Sequence, residues 1–208
     1  NIEEIYNQKI ETEIIELATG KAIDESKKDE VLNLEAFDIR QISANPEYSE
    51  SIPAKKDIAQ IKRKPKYMTV SFVREAGELK KVILPVHGKG LWSTMYGFMA
   101  LGPDLQTVEG FTYYEHGETP GLGGEVDNPR WKAQWKGKTA LNESGDVLIE
   151  VIKGTVNPGN PKADQQIDGL AGATITTRGI DNTLEFWLGD SGYGPLLDNL
   201  RQEVQNNG

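Results

Sequence analysis

Met68, Val70 and Phe72 alternate with Thr69 and Ser71, Ala76-Gly77 follows, and an apolar stretch returns from Leu79 to Val86. A period of two places one set of side chains on a buried face and the other toward solvent, so this pattern reads as a strand, a turn and its partner strand. The centre of the chain is thereby committed to an antiparallel sheet. Gln106 to Tyr114 reads as a further strand after a turn at Leu101 to Asp104, and the apolar run Val147 to Lys153 as a buried one.

Helical spacing appears around these strands. Ile5, Ile10, Ile14 and Leu17 suggest an amphipathic helix from Ile2 to about Leu17, a packed arm or the stem below an anchor. Asn128-Pro129 is a helix start, a capping side chain followed by proline at the first helical position, and it puts Trp131 and Trp135 on one face. Ile180, Leu184, Trp187 and Leu188 predict a helix from near Thr176 that stops at Gly189. A last helix from Pro195 is expected to bury Leu196, Leu197, Leu200 and Val204. Without regular βαβ alternation, the class is α+β, a largely antiparallel sheet with packed helices.

Between these elements lie irregular stretches. Thr19 to Lys66 is charged and reads as an extended, surface-running segment, its basic run Lys62-Arg63-Lys64 a solvated face. His87 to Gly97 switches to glycines and aromatics, which suits a loop that approaches a flat ligand, and His116 to Gly124 is too rich in glycine for regular structure. The division expected is 1–66, an N-terminal helix and extended segment, and 67–208, the main domain. A length of 208 residues suits one sizeable core.

Several chemistries are excluded or disfavoured. There is no cysteine, hence no disulfide and no thiolate-bound metal or cluster. The net charge is −9 and no basic cluster is interleaved with aromatics, so nucleic acid is not an expected partner. No run of about 18 apolar residues is present. Neither GxxxxGK[ST] nor a strand-borne GxGxxG occurs. His87 and His116 are the only histidines, His116 with Glu118 is a weak metal pair, and no nucleophile elbow supports a serine triad, so no metal and no catalytic residue is expected.

The stretch Asp168-Gly169-Leu170-Ala171-Gly172-Ala173-Thr174-Ile175-Thr176-Thr177 sets small residues and hydroxyls against a helix start, where unpaired N–H groups and the helix dipole favour an anion. From the residues alone, plain helix capping is the favoured account of Thr174, Thr176 and Thr177, and Trp92, Tyr96, Trp131 and Trp135 read as core aromatics.

Asp168 to Thr174 resembles the motif by which some proteins carry FMN through a phosphodiester bond to threonine. Gly90-Leu91-Trp92-Ser93-Thr94-Met95-Tyr96-Gly97-Phe98 and His116-Gly117-Glu118-Thr119-Pro120-Gly121-Leu122-Gly123-Gly124-Glu125-Val126, with Trp131 and Trp135 beyond, resemble the C subunit of the Na+-translocating NADH:quinone oxidoreductase. The likeness spans roughly residues 67 to 200 in three ordered motifs. The G subunit of the Rnf complex shares the threonine motif, but the tryptophan-containing extension favours the C subunit of the sodium-translocating enzyme. A non-enzymatic module holding a partner or a phosphorylated ligand is the alternative from another class.

The resemblance implies an electron-carrying subunit of a sodium-pumping NADH:quinone reductase, with covalent FMN on Thr174, glycine-rich loops forming the flavin site and no complete active site of its own. The flavin's phosphate would meet backbone N–H groups near Gly172 and Ala173 and the hydroxyls of Thr176 or Thr177. Trp92 and Leu122 would flank the ring, with Ser93 and Gly123 in the two loops and Glu118 and Thr119 shaping the polar edge. The family carries Ser or Thr where this chain has Ala171, which removes any hydrogen bond from that side chain. The implied partners are the other subunits of the complex and a flavin transferase. The implied location is the periplasmic side of the inner membrane, reached through one N-terminal transmembrane helix.

Overall fold

The computed structural model describes residues 8–207. The expected hairpin is present. In chain order the strands are β1 (Gln8–Glu16), β2 (Lys21–Ala22), β3 (Ser49–Ser51), β4 (Arg63–Pro65), β5 (Tyr67–Glu75), β6 (Glu78–Lys89), β7 (Thr94–Leu101), β8 (Val108–Glu115), β9 (Glu150–Val151) and β10 (Gln166–Ile167). The helices are α1 (Ile39–Ala44), α2 (Pro129–Ala133), α3 (Thr174–Leu188) and α4 (Gly194–Asn207). Six strands form one antiparallel sheet in the order β2-β1-β5-β6-β7-β8. With its four helices the protein is α+β.

One face of this sheet carries Met68, Val70, Val82, Leu84, Met99 and Leu101, all buried against Trp135, Ile180, Leu184 and Trp187. Helix α3 approaches β6 closely because small residues meet there. A Cβ on Gly179 would run into the Lys89 carbonyl, and one on Gly88 into the Thr183 hydroxyl. Pairing of β5 with β6 extends only as far as Ser71 opposite Ile83. Beyond that point two aromatic side chains from the α3 end serve β6, Trp187 Nε1 donating to the His87 carbonyl at 2.7 Å and Tyr193 Oη to that of Pro85 at 2.5 Å. Buried carbonyls left behind by the diverging strand are thereby satisfied.

The expected N-terminal helix is a strand over the described residues; Ile5 lies outside them. Ile10 and Ile14 are four apart, a spacing that fits a helical face and also the even positions of a strand. The open edge of β5 decides, since β1 pairs with it from Gln8 opposite Glu75 to Glu16 opposite Tyr67, and Thr12 and Ser71 share a 2.8 Å hydroxyl bond. Tertiary pairing of β-branched residues overrides the local pattern.

The segment after β2 is irregular as expected, yet it is not merely surface-running. Leu32, Ile42 and Tyr48 form a small core with Ile14, and Ala59 joins the main one. Its basic run is only partly solvated: Lys62 is exposed, but Arg63 is half-buried, with Nε donating to Ser49 Oγ at 2.9 Å and a terminal NH2 to the Ser49 carbonyl at 3.0 Å. Burial, opposed by Glu50, pushes the pKa of Lys64 down.

Other boundaries differ. The His87–Gly97 stretch is mostly sheet, because β6 runs to Lys89 and β7 starts at Thr94, leaving a short loop over 90–93. The Val147–Lys153 run contributes only Glu150–Val151, paired in parallel with β10; its apolar residues mark burial of Ile149 and Val151 more than ladder length. Val204 is 45% exposed, since the end of α4 overhangs the β5–β6 turn, where Val204 lies beside Gly77 and Leu79. Among the described residues no helix is long and apolar enough to cross a membrane.

Candidate functional site

The three glycine-bearing motifs converge on one carboxylate. Glu118 is 5% exposed and accepts four hydrogen bonds: from the Leu91 N–H at 2.7 Å, the Trp92 N–H at 3.0 Å, Ser93 Oγ at 2.7 Å and Thr176 Oγ1 at 2.7 Å. Burial alone would push its pKa up. The bonds from Thr176, Leu91, Ser93 and Trp92 outweigh that and hold it below the usual carboxylate value, so Glu118 is an anion with its lone pairs engaged. Loop 90–93, loop 116–124 and the first turn of α3 are fastened together at this point.

Small residues make the convergence possible. A Cβ on Gly90 would lie 2.5 Å from Glu118 Oε1, and one on Gly123 2.7 Å from Thr176 Oγ1. The second loop is further braced by His116, whose Nδ1 accepts the Glu118 N–H at 3.1 Å while Nε2 meets Asp127 at 2.8 Å. Ser93 Oγ also accepts the Gly117 N–H at 2.9 Å. The Thr119 carbonyl takes the N–H groups of Leu122 and Gly124, closing a tight turn, and the Thr119 residue is exposed. His116 and Glu118 thus form a structural brace, and the described residues contain no group of three or more that could hold a metal.

The threonine stretch is held from below. Trp131 Nε1 donates to the Asp168 carbonyl at 2.9 Å, Gln134 Oε1 accepts the Asp168 N–H at 3.0 Å, and the Gly169 N–H reaches the Gly154 carbonyl at 2.9 Å. Gly172 adopts φ +72°, a left-handed conformation that turns the chain into α3. The N-cap position is Ala173, which has no side-chain cap, and Thr174 is the first helical residue. Thr177 Oγ1 accepts the Leu170 N–H and donates to the Ala173 carbonyl, both at 2.9 Å.

The capping account of the threonines therefore separates into distinct roles. Thr176 and Thr177 are buried, with their hydroxyl protons already donated within the protein, so in this arrangement they are not free donors to a phosphate. Thr174 is exposed, and its hydroxyl has no hydrogen bond among the described residues. The N–H groups of Thr174, Ile175 and Thr176 likewise have no partner among them, as expected for the first turn of a helix. Ala171 and Gly172 are exposed beside them. Trp92, at 69% exposure, Leu122, at 43%, and Ile175 leave apolar surface around this rim, unlike the core aromatics Trp131 and Trp135. Open N–H groups, a free hydroxyl and exposed apolar side chains form a donor set that fits a flat ligand with a phosphate.

Comparison with known proteins turns this geometry into an assignment. Residues 90–189 match the FMN-binding domain family, a range that begins in the first glycine loop and ends at the C-cap of α3. The C subunit of the Na(+)-translocating NADH-quinone reductase of Pseudomonas aeruginosa is 48% identical over 97% of this chain and 75% of that protein. The chain belongs to this C-subunit family. The Vibrio alginolyticus member is 42% identical over 99% of this chain and 76% of its own length. The crystal structure of Shewanella oneidensis NqrC superposes with a TM-score of 0.82 at 37% identity, covering 96% of this chain and 88% of that one.

The family resemblance implied Thr174, Trp92, Ser93, Glu118, Thr119, Leu122 and Gly123 as neighbours of one site, and the structure ties their loops to the same helix end. Reasoning from sequence missed Gln134 and the hydrogen bond of Trp131. The signal was present in part: a buried indole needs a partner for its N–H, and position 131 sits one helical turn before Trp135. Nothing local announced that the acceptor would be Asp168.

Proposed function

We propose that this chain carries FMN through a phosphodiester bond to the Thr174 hydroxyl and relays electrons within a Na+-translocating NADH-quinone reductase. The observation that carries the reading is Thr174 itself, exposed at the first position of α3 with an unbonded hydroxyl beside three N–H groups without partners. A phosphate there meets donors and the positive end of a helix dipole. Trp92 and Leu122 offer apolar surface for the ring, and Glu118 sets the polar edge by fixing the backbone of the loop that bears Trp92. Gly172 exposes its backbone at the rim, while the buried Gly123 and Ala173 let the second loop and the start of α3 pack closely beneath it. Bound FMN supplies the redox chemistry; the protein supplies the tether and the surroundings that tune it.

The chain does not modify itself on this reading. Forming the ester requires the Thr174 oxygen to displace a leaving group from the flavin phosphorus while its proton passes to a base. Glu118 already receives four donors, and no histidine is near Thr174 in sequence, so a separate flavin transferase provides that base. The remaining subunits provide donor and acceptor. Residues 67–208 serve as the FMN-bearing domain, with 1–66 leading to a membrane helix that holds it on the periplasmic side of the inner membrane.

Mass spectrometry of the peptide containing Thr174, from a host that makes the transferase, tests the reading. The expected mass carries one added FMN less water; an unmodified peptide in a host that flavinylates a known substrate overturns it.

A further inference from the structure

A second concave feature lies on the other flank of loop 90–93. An open cleft of about 520 Å³ is formed between the α1 end, the turn over 60–63 and the adjoining ends of β6 and β7. Four cationic side chains line it, Arg40, Lys62, Arg63 and Lys89, and no carboxylate does. This local excess of positive charge stands out in a chain whose net charge is −9. Thr174, Thr176, Glu118 and Leu122 are not part of its lining, whereas Trp92 and Ser93 are, so the cleft adjoins the proposed flavin site through loop 90–93 and lies on the side away from the Thr174 tether.

The cations are arranged unequally. Arg40 lies with its guanidinium 4.3 Å from the centre of the Tyr96 ring and is paired with Glu115, and Arg63 is fixed by Ser49. Lys62 and Lys89 are exposed and have no carboxylate partner among the described residues. Lys62 is presented at φ +67° and Gln60 at φ +51°, left-handed conformations that cost energy for residues with side chains. Asp57 holds that turn from behind, its carboxylate accepting the N–H groups of Ile61 at 2.9 Å and Lys62 at 2.8 Å.

One buried polar group in the wall lacks a partner. Ser43 Oγ is buried with no hydrogen bond, and it lines the cleft. His87 is 4% exposed and stacks on Tyr96 with ring centres 5.4 Å apart. Buried polar groups without partners are rare in proteins and call for a ligand, water or ion. Trp92 and Tyr96 add aromatic surface at the same mouth.

We propose that this cleft binds a phosphoryl anion, a phosphate mono- or diester whose attached group rests on Tyr96, beside the loop that bears Trp92. Lys62 and Lys89 supply two free ammonium groups, and the guanidinium groups of Arg40 and Arg63, already held by Glu115 and Ser49, add fixed positive charge to the wall. The volume falls within the range of small-molecule sites, whereas an acidic protein surface would need a broader contact. The free end of the ester comes from either of two sources, a soluble phosphate ester or a phospholipid headgroup.

The test titrates inorganic phosphate into the chain at constant ionic strength while the indole N–H resonance of Trp92 is followed, assigned with Trp92→Phe. Saturable movement of that resonance is expected. The double variant Lys62→Ala/Lys89→Ala should weaken binding at least tenfold, and Lys132→Ala/Lys136→Ala, an equal charge change at exposed positions outside the cleft, should alter it less than twofold. Circular dichroism confirms that both variants fold. Sedimentation with phosphatidylcholine vesicles, with and without phosphatidylglycerol, separates the sources: uptake that needs phosphatidylglycerol and both lysines assigns a headgroup, and phosphate binding without uptake assigns a soluble ester. No saturable shift, equal loss in the two double variants, or vesicle uptake that survives loss of Lys62 and Lys89 would overturn the proposal.

Discussion

Thr174 and Thr176 stand two residues apart at one helix end and do opposite work. Thr174 is exposed and carries an unbonded hydroxyl, whereas Thr176 is 2% exposed and gives its proton to a buried carboxylate. Two residues on a helix amount to about 200° of rotation, enough to turn one side chain to the rim and the next to the interior. The same residue type thus serves as an attachment point on one side and a fastener on the other. The chemistry of a hydroxyl is set by what already holds it.

The largest test of this contrast is Thr174→Ala. It should remove all covalent flavin, read as the absence of in-gel flavin fluorescence and of added mass, while stability changes by no more than about 0.5 kcal/mol, the usual range at an exposed position. Flavin retained in that variant would break the comparison outright. Glu118→Ala should do the reverse, leaving the Thr174 hydroxyl in place while four donors lose their acceptor. A destabilisation of about 3 kcal/mol or more is expected in urea unfolding. A change below about 1 kcal/mol would mean that water replaces the carboxylate and that the loops are not fastened there.

Thr176→Val keeps the shape and deletes one donor to a charged acceptor, so about 1.5–3 kcal/mol should be lost. Combined with Glu118→Ala, the two losses should fall well short of their sum, because both remove the same bond. The smallest effect is that of pH. Glu118 has a pKa lowered from 4.5 in the folded protein, so its ionised form favours folding. That contribution is complete above about pH 4.5 and disappears as the pH falls through the lower folded value. The stability gap between the parent and Glu118→Gln should therefore narrow below about pH 4.5. His87, which burial and then Arg40 lower from 6.5 to about 4, costs stability over the interval from about 6.5 to 4, mostly above the Glu118 window, and the shared slope there cancels in the difference.

Much of the fold was legible because alternation and capping are local. The β5–β6 hairpin, the Asn128 cap of α2, the long helix ending at Gly189 and the loop of 116–124 all follow from residues within a few positions of one another. The failures share one cause. Ile10 and Ile14 fit either period, and only the unpaired edge of β5 chose the strand. His87 reads as part of a glycine loop until its neighbour Tyr96 is seen opposite it across a ladder.

The candidate site divides in the same way. By itself, the amino-acid sequence determined that two glycine-bearing stretches and then a run of small residues and threonines occur in order, and that the last of them opens a helix able to receive an anion. Only the tertiary structure decided which hydroxyl is free. That choice rests on Glu118, which lies 58 positions from Thr176 in the chain and 2.7 Å from it in space. A hydrogen bond of such long range leaves no periodic trace in sequence, because burial and partner choice are properties of the packed chain and not of the residue.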